Sequence, residues 1–374
     1  ARLMFDEYSM DTISLMPTDG YTVFCQCELC EGKDTPERGY RGMMSDYVWP
    51  FMNRAAAETA KTHPDKKIMN YPYNTYGDPT LDIKTFHPNL RVGICGPRKT
   101  FRDPKKKEMY YNTRKGFLEK LPHGKISLWE YYNVTQGMPD YFPHIIAEDL
   151  KWLKGKVDGT MIEFNRGKRI SGNDPAPYKK LATSHLNQWL TARLWWNPDT
   201  GQMWWTKGRD AEGLLDEYYE KFYGPAAAEM KTFVEFCEEN LPRMRVKPEP
   251  IDKAFELIEK ARNAAGENNI HARRVQLVID YMQPLKPIRE NLAVGRENNP
   301  VATFEERNKS TIKLDGRLDD VFWKGLQTYE LKDVETGKDV TNKTTFKVAW
   351  AGDSLYFAIR CEEESMDNLV IPAT

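Results

Sequence analysis

The spacing of apolar residues changes period several times along the chain, and each change marks a predicted element. Ile13 to Met16 reads as a short strand that breaks into a turn at Pro17 to Gly20. From Ser45 to His63, Val48, Phe51, Met52, Ala55, Ala56 and Ala60 recur at helical spacing, and Pro64 closes the helix. Lys67 to Tyr73 and Leu90 to Cys95 read as strands, the second followed by a basic loop and a helix from Arg114 to Leu121. Lys125-Ile-Ser-Leu-Trp-Glu-Tyr-Tyr132 is the next strand. Ile145, Ile146, Leu150 and Leu153 then lie at helical spacing, and Gly159 to Asn165 is a further strand. Strands alternating with helices or long loops predict an α/β domain of the (β/α) TIM-barrel type. Two successive strands end on a glutamate, Glu130 and Glu163, where barrels carry catalytic residues.

Beyond Asn165 the period is helical. Helices are expected over 186–196, 211–222, 225–241, 251–265 and 269–282, with aromatics serving mainly as core, Trp195 and Trp196 included. Asn291 to Thr311 is polar and reads as a linker or edge. A β pattern follows from Thr311 to Trp323 and from Thr344 to Trp350. Gly352-Asp353 then turns the chain into Ser354 to Cys361, a hairpin. The expected layout is a barrel part over 1–185, a helical domain over 186–300 and the start of a β-sandwich over 301–374.

Composition narrows the function. A net charge of -1 leaves no basic surface for nucleic acid or an anionic membrane. No run of apolar residues is long enough for a membrane span. The chain carries 19 Tyr and 10 Trp, clustered between residues 47 and 223, and these change the picture more. Flat aromatic faces beside carboxylates suit a sugar-cleaving site, where rings stack and acids donate protons. Tyr71, Tyr73, Asn74, Tyr76, Trp129, Tyr132 and Asn165 are the candidate substrate-binding residues, on or just after strand ends.

Cys25, Cys27 and Cys30 form a C-x-C-x-x-C. Three thiolates could hold a metal with a fourth ligand such as Cys95 or His63, or the spacing could hold one disulfide and a free thiol. A full zinc signature needs a second CxxC or a paired His, and neither is present. The expectation is that these cysteines tie down a loop beside Asp19 and bind no metal. His63, His87, His123 and His144 lack ligand spacing, and no phosphate loop or nucleophile elbow occurs, so no cofactor is expected.

Several motifs occur in one order: Thr18-Asp19-Gly20 before the Cys loop, Tyr47-Val-Trp-Pro-Phe51, Pro64-Asp-Lys-Lys-Ile-Met-Asn-Tyr71, Leu128-Trp-Glu-Tyr-Tyr132, Pro143-His-Ile-Ile-Ala-Glu-Asp-Leu150, Gly159 to Glu163 and Phe222-Tyr-Gly-Pro-Ala226. From about residue 11 to 235 the chain therefore resembles the bacterial domain of unknown function 4838. That family overlaps glycoside hydrolase family 163, endo-β-N-acetylglucosaminidases on a (β/α) barrel, and is distantly similar to family 67 α-glucuronidases. Ile312 to Trp323 and Phe346 to Cys361 resemble the opening strands of a family 9-like carbohydrate-binding module. The resemblance implies a secreted or periplasmic enzyme acting on an oligosaccharide or glycoprotein glycan. It also implies that the barrel begins before residue 1 and that the binding module continues past residue 374.

Enzymes of this kind can use the substrate's own acetamide as nucleophile, an exception to the two-carboxylate rule. Glu163 is then expected as general acid and Asp19 as the carboxylate that polarises the acetamide, with Glu130 a competitor for either role. Met161, Ile162 and Phe164 around Glu163 predict a desolvated acid with a raised pKa. A two-carboxylate glycosidase using Glu130 and Glu163, or a carbohydrate-binding protein without turnover, are the alternatives.

Overall fold

The computed structural model describes residues 2–17, 25, 27–132, 137–163, 182–202, 208–297, 304–332 and 339–362. The chain divides into two compact units, Ala1–Ala293 and Val294–Thr374.

The first unit opens with the short helix α1 (Arg2–Asp6) and is built on a parallel five-stranded sheet curled as half a barrel. Its strands β1 (Thr12–Ser14), β2 (Lys67–Asn70), β3 (Leu90–Cys95), β4 (Ile126–Tyr131) and β5 (Val157–Glu163) lie side by side in chain order. Helices α2 (Ser45–Ala60), α3 (Pro104–Lys120) and α4 (Pro143–Leu153) make the crossovers, and β2 passes to β3 through a long loop. The expected elements are therefore present, with shifted borders.

The helix expected from Arg114 begins ten residues earlier, at Pro104. Asp103 caps it by accepting from the backbone N–H groups of Lys105 and Lys106, and Pro104 supplies a preset φ at the first position. The lysine run after it looks like a loop by charge, yet lysine is a good helix former once a cap exists.

Alternation along the strands gives the sheet two unlike faces. Ile68, Leu90, Val92, Ile94, Ile126 and Leu128 are buried on the back, where α2 packs against β2 and β3, and α3 against β4. Trp49 of α2 is fully buried between Phe86 and Phe117, and its indole N–H donates to the Tyr76 carbonyl at 3.1 Å. The front face carries Met69, Arg91, Gly93, Cys95, Ser127, Trp129, Tyr131, Met161 and Glu163, in register across the strands.

The same core continues into α5 (Ser184–Trp196), α6 (Ala211–Tyr223), α7 (Ala227–Met244), α8 (Pro248–Ala265) and α9 (Ile270–Met282). A further helix, α10 (Leu285–Glu297), occupies the start of the stretch expected as a linker. Tyr218, Tyr219 and Tyr223 are core, as expected, but Trp195 and Trp196 are 44% and 65% exposed. They cap the end of α5, beyond the buried Leu190 and Leu194, and border a groove of about 540 Å³.

In the second unit, β8 (Thr344–Ala351) pairs antiparallel with β9 (Ser354–Cys361) as the expected hairpin, around Gly352 at φ 62°. β6 (Glu305–Glu306) and β7 (Tyr329–Glu330) also pair with β8. Residues 312–320 form no strand, and Val321–Trp323 is a 3-10 turn whose Phe322 and Trp323 pack with Ala349, Ala351 and Ala358. The Asp315-Gly316 and Asp319-Asp320 pairs interrupt the β pattern there.

Candidate active site

At the C-terminal ends of the strands the front face forms a cleft of about 300 Å³, lined by Tyr71, Tyr73, Cys95, Trp129, Tyr131 and Glu163, with Met16 and Pro17 at its edge. Strand pairing places Tyr131 opposite Glu163 and Cys95 opposite Trp129. The Tyr71 and Trp129 rings meet edge to face at 5.4 Å, so two aromatic faces stand nearly perpendicular around the cleft. Gly93 makes this possible. A Cβ there would sit 2.2 Å from the Tyr71 ring, so only glycine lets that ring lie down on β3.

The Tyr131 hydroxyl and the Cys95 thiol lie 2.9 Å apart. Burial, and then Cys95 itself, push the Tyr131 phenol above its ordinary range, and burial does the same for Tyr71. Both therefore remain neutral phenols at physiological pH. Glu163 is exposed at the cleft mouth and Met161 beside it is 44% exposed on the edge strand, while Phe164, also expected around the acid, lies outside the described residues.

Behind the sheet the arrangement is ionic. Glu130 points away from the cleft and is fully buried with Arg98, Arg114 and Asp149. Its Oε2 accepts from the Arg98 backbone N–H at 3.0 Å, and its Oε1 lies 3.6 Å from both guanidinium groups. Asp149 of α4 accepts from Arg98 Nε at 2.5 Å and from Arg114 Nη1. Arg98 also donates to the Tyr132 hydroxyl at 3.2 Å, which meets Thr191 of α5 at 2.8 Å. Burial opposes ionisation of Asp149, but Arg114 and Arg98 outweigh it and hold the carboxyl below its ordinary value. Burial wins at Glu130 and lifts it to about 7, against the pull of the same two arginines.

The family model for a domain of unknown function (DUF4838) matches residues 3–235. The chain belongs to that family. No curated protein and no solved structure matches it. The DUF4838 match takes in the cleft, the ionic cluster and the helices through α6.

Of the residues expected in the site, the DUF4838 fold brings together Tyr71, Tyr73, Trp129 and Glu163. Glu130 does not join them, because odd and even positions of β4 face opposite ways. Tyr132, 2% exposed, follows Glu130 to the back for the same reason. Tyr76 is fully buried in the core, and Asn74 sits half-buried at the start of the same 3-10 turn, at φ 42°. Asp19 and Asn165 lie outside the described residues. Tyr131 and Cys95 were legible as lining residues: strict alternation from Trp129 selects Tyr131 rather than Tyr132.

Glu130 gives a pH signature. With a folded pKa of about 7 against an ordinary 4.5, the native state holds its proton more tightly than the unfolded chain does. Its contribution to stability is complete below pH 4.5 and is lost as pH rises through 7. Asp149, lowered, acts the other way and loses its contribution only as pH falls below its ordinary 3.8. Denaturant unfolding of the parent and of Glu130→Gln across this window should show their stability difference shifting by on the order of 3 kcal/mol, the parent losing ground as pH rises. A difference that stays flat would mean that Glu130 is ionised throughout.

Proposed function

We propose that this chain is a glycoside hydrolase acting on N-acetylglucosamine-containing glycans, retaining and substrate-assisted. The observation that carries this is the aromatic cleft at the strand ends, with Tyr71 and Trp129 at right angles and Glu163 at the mouth. A pyranose ring stacks on one such face by its C–H groups while its hydroxyls meet the neutral phenols of Tyr71 and Tyr131. Glu163 then protonates the leaving oxygen, and Asp19 is assigned from sequence to polarise the acetamide.

Placement of Glu130 on the other face of β4 argues against a Glu130–Glu163 pair and favours the substrate as its own nucleophile. The family 163-like specificity and a secreted or periplasmic location rest on the sequence resemblance. So does a role for the second unit as the start of a family 9-like carbohydrate-binding module. Exposure of Glu163 favours a second reading, a carbohydrate-binding cleft without turnover.

Digestion of a mixed glycan panel, read by mass spectrometry, separates the two. Release of products ending in N-acetylglucosamine supports hydrolysis; binding without release supports the second reading; neither would remove both. Trp129→Ala should weaken oligosaccharide binding by about tenfold, near the 1.4 kcal/mol expected for one lost stacking platform. Calorimetric titration with an N-acetylglucosamine oligomer checks this, and unchanged affinity would place the sugar elsewhere.

A further inference from the structure

We propose that Cys25, Cys27 and Cys30 form a binding site for a thiophilic divalent cation of the zinc and cadmium type, held by three thiolates with solvent as fourth ligand. The proposal stands apart from the hydrolase reading, since none of the three cysteines lines the cleft. Their three sulfurs already lie within 4.8 Å of one another. Thiolates on tetrahedral zinc at about 2.3 Å stand roughly 3.8 Å apart, so closing onto a cation needs only small side-chain rotations. From Cys27 to Lys33 the backbone is a tight turn. Cys30 and Glu31 donate their N–H groups to the Cys27 carbonyl at 2.8 and 3.0 Å, and Lys33 donates to the Cys30 carbonyl at 3.1 Å.

The Cys25, Cys27 and Cys30 side chains are in mutual contact, and the backbone N–H of Leu29 points at the Cys27 sulfur. Binding forms three metal–sulfur bonds and sends the thiol protons to solvent, so affinity should rise with pH.

Neither fourth ligand suggested by sequence is at hand. Cys95 lies on β3 against Tyr131, and His63 is engaged by Asp6 through Nε2 and by Thr62 through Nδ1. Among the described residues no other His, Cys, Asp or Glu joins the three sulfurs. Soft thiolates select zinc and cadmium over magnesium or calcium, which take oxygen ligands.

The test titrates the full chain, reduced and under argon, with Cd2+ and follows thiolate-to-metal charge-transfer absorption. One equivalent should bind, and Cys27→Ser should lower the affinity more than tenfold, while Cys361→Ser, an exposed cysteine elsewhere, should leave it unchanged. A second measurement needs no variant. Zn2+ should protect Cys25, Cys27 and Cys30 from alkylation while Cys361 still reacts, as read by peptide mass spectrometry. Absence of the band, a band equally strong in Cys27→Ser, or alkylation unaffected by zinc would each overturn the proposal. So would a disulfide among the three that survives reductant.

Discussion

Glu163→Gln should slow release of a natural glycan by about 10² to 10⁴-fold while nearly sparing an aryl glycoside with an acidic phenol. The amide keeps the shape of the side chain but has no proton to deliver. A sugar alkoxide cannot leave without that proton, whereas a phenolate can. Asp19→Asn should slow both substrates, because charge beside the acetamide is needed whatever departs. The informative quantity is the ratio of the two rates for each variant. Equal slowing of both substrates by Glu163→Gln would remove the general-acid role. Folding does not confuse the result, since Glu163 is exposed at a strand end and its replacement should leave stability nearly unchanged.

Asp149→Ala should destabilise the first unit by about 3–5 kcal/mol. The aspartate neutralises Arg98 and Arg114, both essentially without solvent contact, and its loss leaves two buried cations facing Glu130 alone. The cost is that of stranding charge rather than the net worth of the pair, which can be small. Urea unfolding should show a lower midpoint at unchanged slope. Lys231→Ala is the control: its bond to Asp216 is 2.8 Å long, but both side chains are substantially exposed, and the change should cost no more than about 1 kcal/mol. A loss at Asp149 as small as the control's would mean that water reaches the cluster.

Much of the fold was legible because its signals are local. The period change from two to 3.6 located β4, α4 and β5, and the Gly352-Asp353 turn located the hairpin of the second unit. What was missed had non-local or competing causes. The start of α3 depended on one cap, Asp103, against a run of lysines that reads as loop. The exposure of Trp195 and Trp196 could not be inferred from helical spacing alone, which places residues on a face but does not say whether that face is covered.

The site was legible in kind and misplaced in part. Tyr71, Tyr73, Trp129 and Glu163 follow from strand ends and aromatic content. Glu130 looked equivalent to Glu163 because both end predicted strands, but strand pairing sets Glu163 beside Tyr131, one position further on. The cations that draw Glu130 backwards, Arg98 and Arg114, come from two separate stretches, and Asp149, which holds both, comes from a third.

That division of labour along β4 has a consequence for how such a chain can change over generations. Trp129 and Tyr131 serve the cleft, while Glu130 and Tyr132 are anchored behind it by Arg98, in the 3-10 turn Arg98–Arg102, and by Arg114 of α3. Side chains in a strand alternate strictly, so point replacements at 129 or 131 can vary the cleft surface while the anchor stays put. An insertion or deletion of one codon inside the strand has no such freedom. It would turn the carboxylate outward and press an aromatic ring against two arginines, so variation in this segment should proceed by substitution and leave its length alone.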